Sequence, residues 1–130
     1  MKAYTLNHLH QLPELTDLEI PTVKDDLALI QLTASALNHR DIWITKGLYP
    51  NIRLGAVMGA DGCGMLNGQE YIINPGLAWG RNESFQSPEF RVLGVPDDGT
   101  FADFISIDRT YLYPKPDHLT SVQAAALPLA

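Results

Sequence analysis

"GADGCGMLNGQEYIIN", residues 59–74, carries the strongest local instruction in the chain. Asn67-Gly68 is the favoured two-residue hairpin turn, because both positions tolerate positive φ. Met65 and Leu66 before it, and Tyr71, Ile72 and Ile73 after it, supply apolar residues for two antiparallel strands. Gly55, Gly59, Gly62 and Gly64 crowd the approach to the turn. Either the backbone passes close to something there, or the strand bends sharply. The stretch predicts a bent β-hairpin.

Working outward, the same pattern of short strands recurs. "KAYTL" from Lys2 reads as one. "LTDLEIP" sets Leu15, Asp17 and Glu19 against Thr16, Leu18 and Ile20 until Pro21 stops it. "LALIQLTASAL" from Leu27, after a turn over 23–26, is the longest. "TFADFISI" from Thr100 follows the turn Asp97-Asp98-Gly99, and "YLYPKPDHL" is extended until Pro114 and Pro116. Residues 74–100 are dense in Gly, Pro, Asn and Asp and read as a long loop or lobe. Two short helices complete the set. One holds Ile42, Trp43, Ile44 and Lys46 and ends at Gly47. The other opens at Thr120 with Gln123 three residues later, a capping box, and Ala124–Ala126 suit it to close packing. Many short strands with turns between them point to a β-barrel-like domain.

The 130 residues make one domain, 1–130, long enough to bury a core without staples. A composition 45% hydrophobic and 18% charged is that of a globular chain. The formal charge of −6, with no Lys/Arg cluster, makes nucleic acid and anionic membrane surfaces poor partners. The single cysteine, Cys63, excludes an internal disulfide and a multi-cysteine zinc centre. "MKAYTLNHLH" lacks a signal-peptide core, and no run reaches membrane-spanning length, so a soluble, cytoplasmic protein is expected. The chain stops inside an apolar segment at Leu129-Ala130, which leads us to expect that its natural continuation is missing.

"SALNHRDIWITKG", residues 35–47, puts an amide, an imidazole, a guanidinium and a carboxylate in one corner. A site, a helix cap and a solvated bend all fit the pattern. Asn38 and Asp41 are preferred capping residues, and capping and a site role can coexist. His39 and Arg40 read as surface residues, and Trp43 reads as core or as a cleft wall. Cys63 between two glycines reads as a small buried residue with no basic partner. His8 and His10 have no third ligand nearby and read as loop histidines.

In order along the chain, the "MKA" start, "ALNHRDIWITKGLYP", "MGADGCGM", "DDGTFADFISI" and "LYPKPDHLTSVQAAALPLA" resemble the N-terminal half of a medium-chain dehydrogenase/reductase. The resemblance implies a mainly β, GroES-like partly open barrel with a few short helices. A Rossmann domain would follow the "AAALPLA"-like helix. No G-x-G-x-x-G fingerprint lies within these residues, so NADP(H) would be bound mainly by a domain outside this chain. Zinc-dependent members carry a cysteine at the start of the corner and a His-Glu pair after the strand glycine. Those positions here read Asn38, Ala60 and Asp61, and residues 74–100 contain no cysteine, so no zinc is expected.

The likeness is nearest to zinc-free reductases related to quinone oxidoreductase, and an enone, a quinone or an aldehyde is the implied small-molecule substrate. On that basis the catalytic candidates are Asn38, Asp41 and Tyr49. Asn38 would offer an amide N–H to the substrate oxygen or the nicotinamide ribose, which also makes it the cofactor contact. Asp41 would orient the corner. Tyr49 and Trp43 would wall the cleft, Tyr49 or His39 or water would protonate the enolate, and Asp61 would pair with a cation of the second domain. His39, Trp43 and Asp61 are thus the substrate-side candidates. The resemblance also implies a homo-oligomer, with "LAWGRNESFQSPEF" shaping the cleft or a subunit contact. Two other readings stand beside this one: an alcohol dehydrogenase with an altered metal site, and a non-catalytic GroES-like interaction module.

Overall fold

A computed structural model describes residues 1–24 and 26–129; Asp25, inside the turn expected over 23–26, and Ala130 lie outside the described residues. The elements run β1 (Lys2–Thr5), β2 (Glu14–Asp17), β3 (Leu27–Ala36), α1 (His39–Thr45), β4 (Asp61–Leu66), β5 (Gln69–Ile73), β6 (Gly76–Leu77), β7 (Arg91–Val92), β8 (Phe104–Asp108), β9 (Leu112–Pro114) and α2 (Ser121–Ala125). An antiparallel sheet in the order β8-β3-β4-β5-β9 is the main body, with two-stranded sheets β1-β2 and β6-β7 beside it. Isolated bridges, Ala3 to Ala102 and Thr5 to Val57, tie β1 into the rest. The result is the partly open barrel that the resemblance implied.

The hairpin forms with Asn67 at φ 50° and Gly68 at φ 84°, the pair of left-handed residues that matches the twist of its strands. β3 is the central strand. It pairs with β8 along one edge from Leu27 to Gln31, and with β4 along the other from Gln31 to Ala36. The register slips between Leu32 and Ala34, so Thr33 is an extra residue whose hydroxyl donates to the Cys63 carbonyl at 3.1 Å. A bulge of this kind bends a strand and increases its twist, which is what curls the sheet. It also sets the register at the far end, where Ala36 stands opposite Asp61.

Three apolar clusters hold the layers together. Ala28 and Ile30 of β3 with Ile105 and Ile107 of β8 alternate inward onto Ile73, Leu77 and Leu93. Leu6, Ile44, Ala56, Met58 and Val95 pack beneath α1. Cys63 meets Ala124 and Ala125 beneath α2, so it is the small buried residue the sequence suggested; burial raises its thiol pKa. The α2 capping box forms as read, with Gln123 N–H donating to the Thr120 hydroxyl at 3.2 Å and Thr120 N–H donating to Gln123 Oε1 at 3.0 Å.

Some expectations shift. β2 ends at Asp17 rather than at Ile20, although Leu18 still exchanges backbone hydrogen bonds with Met1 in the same register. The strand expected from Thr100 begins at Phe104. Residues 100 and 101 instead give their N–H groups to the carbonyls of Gly59 and Met58. A 3₁₀ turn at Arg109–Tyr111 separates β8 from β9, its N-cap Asp108 accepting from Thr110 N–H. The 74–100 lobe contains only the two-residue ladder of β6 and β7. Among the described residues no helix is long and apolar enough to cross a membrane.

Candidate functional site

Seven residues of α1 decide what the corner is. Buried positions on a short helix must recur at three or four residues, and here they are Arg40, Asp41 and Ile44. Trp43 is therefore not core, as one of its two readings had it. The ring is 43% exposed, lies parallel to His39 at 5.6 Å and has Lys46 Nζ 5.6 Å from its centre. Arg40 is likewise not a surface residue, being only 8% exposed. Gly47, at φ 73°, follows the C-cap Lys46, as expected of a helix stop.

Asn38 has extended backbone and precedes the first helical residue. Its own N–H donates to Asp41 Oδ2 at 2.8 Å, while the Asp41 N–H returns to the Asn38 carbonyl at 3.0 Å. Asp41 thus caps the helix. Asn38 and Asp41 stand as a capping box, although the Asn38 side chain does not reach ordinary hydrogen-bond geometry with the Asp41 N–H. Because β3 places Ala36 opposite Asp61, the Asn38 carboxamide reaches across and donates from Nδ2 to Asp61 Oδ2 at 3.0 Å. A carboxylate only accepts, so the amide must present its NH2 end, and its second N–H has no partner among the described residues. Thr100 holds the other side of Asp61, donating its hydroxyl to the Asp61 carbonyl at 2.6 Å, and Ser35 donates in turn to the Thr100 carbonyl.

Asp41 and Asp61 are 4% and 1% exposed, and the Oδ1 atom of each is buried without a partner among the described residues. Burial raises both carboxyls above the ordinary aspartate value. The Asn38 N–H and the Arg40 charge oppose this at Asp41; the Asn38 carboxamide, the Leu129 backbone and Arg40 oppose it at Asp61. Folding therefore favours their protonated forms. The stability they contribute is complete below the ordinary aspartate value and is lost as pH rises through their raised folded values. Asp17 and Glu70 act in the opposite sense, held low by hydrogen bonds from Lys2 and Ser121. Asp61→Asn should flatten the pH dependence of the melting temperature just above the ordinary aspartate range. An unchanged slope in that window would mean that Asp61 titrates normally.

Tyr49 is half-buried, packs on the Ile44 cluster and lies with its ring centre 4.9 Å from the Arg40 guanidinium carbon. The structure thus brings the half-buried Asn38 together with the buried Arg40, Asp41 and Asp61, with Tyr49 beside them, and leaves His39 and Trp43 on the exposed face of α1. Arg40 and Thr100 were not among the site residues read from the sequence. The signal for Arg40 was its spacing of four from Ile44; Thr100, reached only through the fold, had none. His8 and His10 are exposed in the loop after β1. A cavity of about 660 Å³, lined by Tyr4, Leu12, Leu15, Leu37 and Phe101, touches this group only through Ser35 and Thr100.

A catalytic zinc needs three protein ligands of thiolate, imidazole or carboxylate type. The positions that the resemblance assigns to them hold a carboxamide, a methyl group and a carboxylate, and the first and last are hydrogen-bonded to each other. These residues do not fit the ion. Among the described residues no three His, Cys, Asp or Glu side chains group as metal ligands. A dinucleotide pyrophosphate needs a strand, a glycine turn and a helix N-terminus in succession. Residues 59–64 instead lead into β4 and the hairpin, so they do not fit that group either.

The family model for the alcohol dehydrogenase GroES-like domain matches residues 24–117. A zinc-type alcohol dehydrogenase-like protein, YogA, of Leptosphaeria maculans is 32% identical over 122 residues, covering 77% of this chain and 34% of that protein. An NAD-dependent alcohol dehydrogenase structure superposes with a TM-score of 0.90 at 34% identity, over 99% of this chain and 43% of that one. A quinone oxidoreductase from Thermus thermophilus, solved alone and with NADPH, gives 0.76 at 25% identity, over 99% and 36%. The chain spans about one third of the length of the curated relatives it matches. With most of its length under the family model and its whole fold shared with these structures, the chain belongs to the alcohol dehydrogenase GroES-like domain family.

Proposed function

We propose that this domain is the substrate side of a zinc-independent, NADPH-dependent oxidoreductase that reduces conjugated carbonyls or quinones. The hydrogen bond from the Asn38 carboxamide to Asp61, standing where a metal's ligands would be, carries the reading. A conjugated carbonyl spreads the charge that an arriving hydride brings, so it needs positioning and a few neutral donors more than a Lewis acid. The nicotinamide, when bound, supplies the hydride. Asn38, pinned by Asp61, offers its second N–H to the enolate oxygen or to the nicotinamide ribose. Asp41 keeps that carboxamide in place by capping α1 through the Asn38 N–H. Tyr49 and Trp43 form the wall, and the proton reaches the enolate carbon from Tyr49, His39 or water. Asp61 would offer a cation of the second domain its Oδ1, which has no partner among the described residues.

A Rossmann domain joined to residues 1–130 would hold most of the cofactor, as the threefold greater length of the relatives suggests. The quinone oxidoreductase with NADPH among the similar structures supports the substrate and cofactor classes. Cytoplasmic location and assembly into a homo-oligomer belong to the same proposal.

The zinc-type name of the relative and the NAD-dependent alcohol dehydrogenase favour a second reading, oxidation of an unactivated alcohol with an altered metal. NADPH oxidation by the longer protein, before and after chelator treatment, separates them. Turnover of quinone or enone that survives chelation, with far less than one zinc per chain by metal analysis, is the expected result. Stoichiometric zinc with chelator-sensitive alcohol oxidation would replace the first reading by the second. An unchanged nicotinamide fluorescence on titration would leave the interaction module.

A further inference from the structure

Arg40 makes an unusual set of contacts for a residue beside a site. Its Nη1 donates to the Leu93 carbonyl at 2.7 Å, and its Nη2 to the carbonyls of Val95 at 3.0 Å and Val92 at 3.4 Å. Leu93 belongs to the barrel core and Val95 to the cluster beneath α1, so one side chain spans two separate packing units. The face of the same guanidinium lies against Tyr49. Among the described residues Arg40 takes part in none of the ion pairs. Its charge faces the buried Asp41 and Asp61 without pairing with either, and its Nε has no partner among the described residues. A well-packed apolar side chain of similar volume would therefore commonly stabilise as well or better. What an apolar residue lacks is direction. A planar fork with several N–H bonds at set angles fixes the carbonyls relative to the helix that carries it. That helix is α1, and Arg40 sits between Asn38 and Asp41 at its first turn.

We propose that Arg40 is the positioning residue of the corner: closed on the carbonyls of Val92, Leu93 and Val95, its fork sets where the Asn38 carboxamide and the Tyr49 ring stand. The importance of that placement rests on the corner being the reductase site argued above. The placement itself is readable without any reaction, so a failure of that site reading and a failure of this assignment are told apart.

The test compares two lesions on the same buried face of α1 in this chain. Arg40→Lys keeps the charge and most of the stem but loses the planar fork. Ile44→Val loosens the packing beneath the helix and leaves the fork alone. Proton–nitrogen spectra well below melting report the Asn38 carboxamide pair, and the aromatic region reports Tyr49. Arg40→Lys should move both sets of signals, while Ile44→Val lowers the melting temperature, shifts only Tyr49, which packs on its cluster, and leaves the Asn38 carboxamide pair in place. If Arg40→Lys leaves the carboxamide pair unmoved, or if the two variants move it alike, Arg40 is only a strut and the assignment is overturned. Should Arg40→Lys fail to fold, Arg40→Gln, with a planar end and two N–H bonds, takes its place. Failure of both to fold would likewise overturn it, because loss of the whole structure is a structural role.

Discussion

Asn38→Ala should lower the rate of carbonyl reduction by about a hundred- to a thousand-fold in the protein that joins this domain to a nucleotide-binding one, the usual effect of deleting one donor to a developing oxyanion. The variant also leaves the Asp61 carboxylate without its side-chain donor in a site that is 1% exposed. That should cost stability as well, about 1–3 kcal/mol for an acceptor left unpaired in the interior. The helix cap changes only in its weak Asn38 side-chain half. Asp41 accepts from the Asn38 backbone N–H, and alanine retains that group. Measuring turnover and melting temperature on the same preparations separates the effects. A melting loss with unchanged turnover would reduce Asn38 to a tether for Asp61 and remove it from the reaction. Asn38→Asp is a sharper companion: it puts a third carboxylate beside two that are already buried, and should melt lower still than the alanine variant.

What the sequence showed of this domain was what is local. Asn67-Gly68 makes its turn from its own φ preferences, and Thr120 with Gln123 makes its capping box within four residues. Neither needs the rest of the chain. The corner was legible as a concentration of polar groups, and the cap and site readings of Asn38 and Asp41 both had a physical basis. The structure divides the labour between them, because the register that sets Ala36 opposite Asp61 is fixed by a bulge at Thr33 that no turn residue announces. The sequence placed Ile42, Trp43 and Ile44 on one short helix and left Trp43 as core or cleft wall. Helical geometry allows only one of the three inward with Arg40, and Ile44 is the one four residues on. The late start of β8 escaped for the same reason, since the backbone partners of residues 100 and 101 lie far away in sequence. The 3₁₀ turn at Arg109–Tyr111, by contrast, carries a local signal that went unread, the Asp108 cap on Thr110.

Gly99→Ala is expected to be the most damaging single methyl group in the fold. A Cβ built on Gly99 would stand 2.0 Å from the Gly59 carbonyl oxygen, 2.6 Å from the Met58 carbonyl oxygen and 2.6 Å from the Gly94 Cα. All three are backbone atoms, so no side chain can rotate away to make room. The segments are also tied on both sides of the clash. Gly99 N–H donates to the Val57 carbonyl at 2.9 Å, Thr100 N–H to that of Gly59 at 2.9 Å, and Val57 N–H to Asp98 Oδ1 at 3.0 Å. Inserting a methyl group into a packed interior costs about 1–3 kcal/mol when side chains yield, and the rigid surroundings put this case at or above the upper end. For a domain of this size that is a melting loss on the order of 10 °C. Displacing residue 99 also drags Thr100, whose hydroxyl holds the Asp61 carbonyl, so the corner should loosen along with the core. Gly55→Ala is the control, since its added Cβ meets nothing within 4 Å and only its φ of 80° is strained, at about 1 kcal/mol. Gly99→Ala melting no lower than Gly55→Ala would mean that residues 57–59 do not pack against 94–99 as described, and the seat of Asp61 would have to be redrawn.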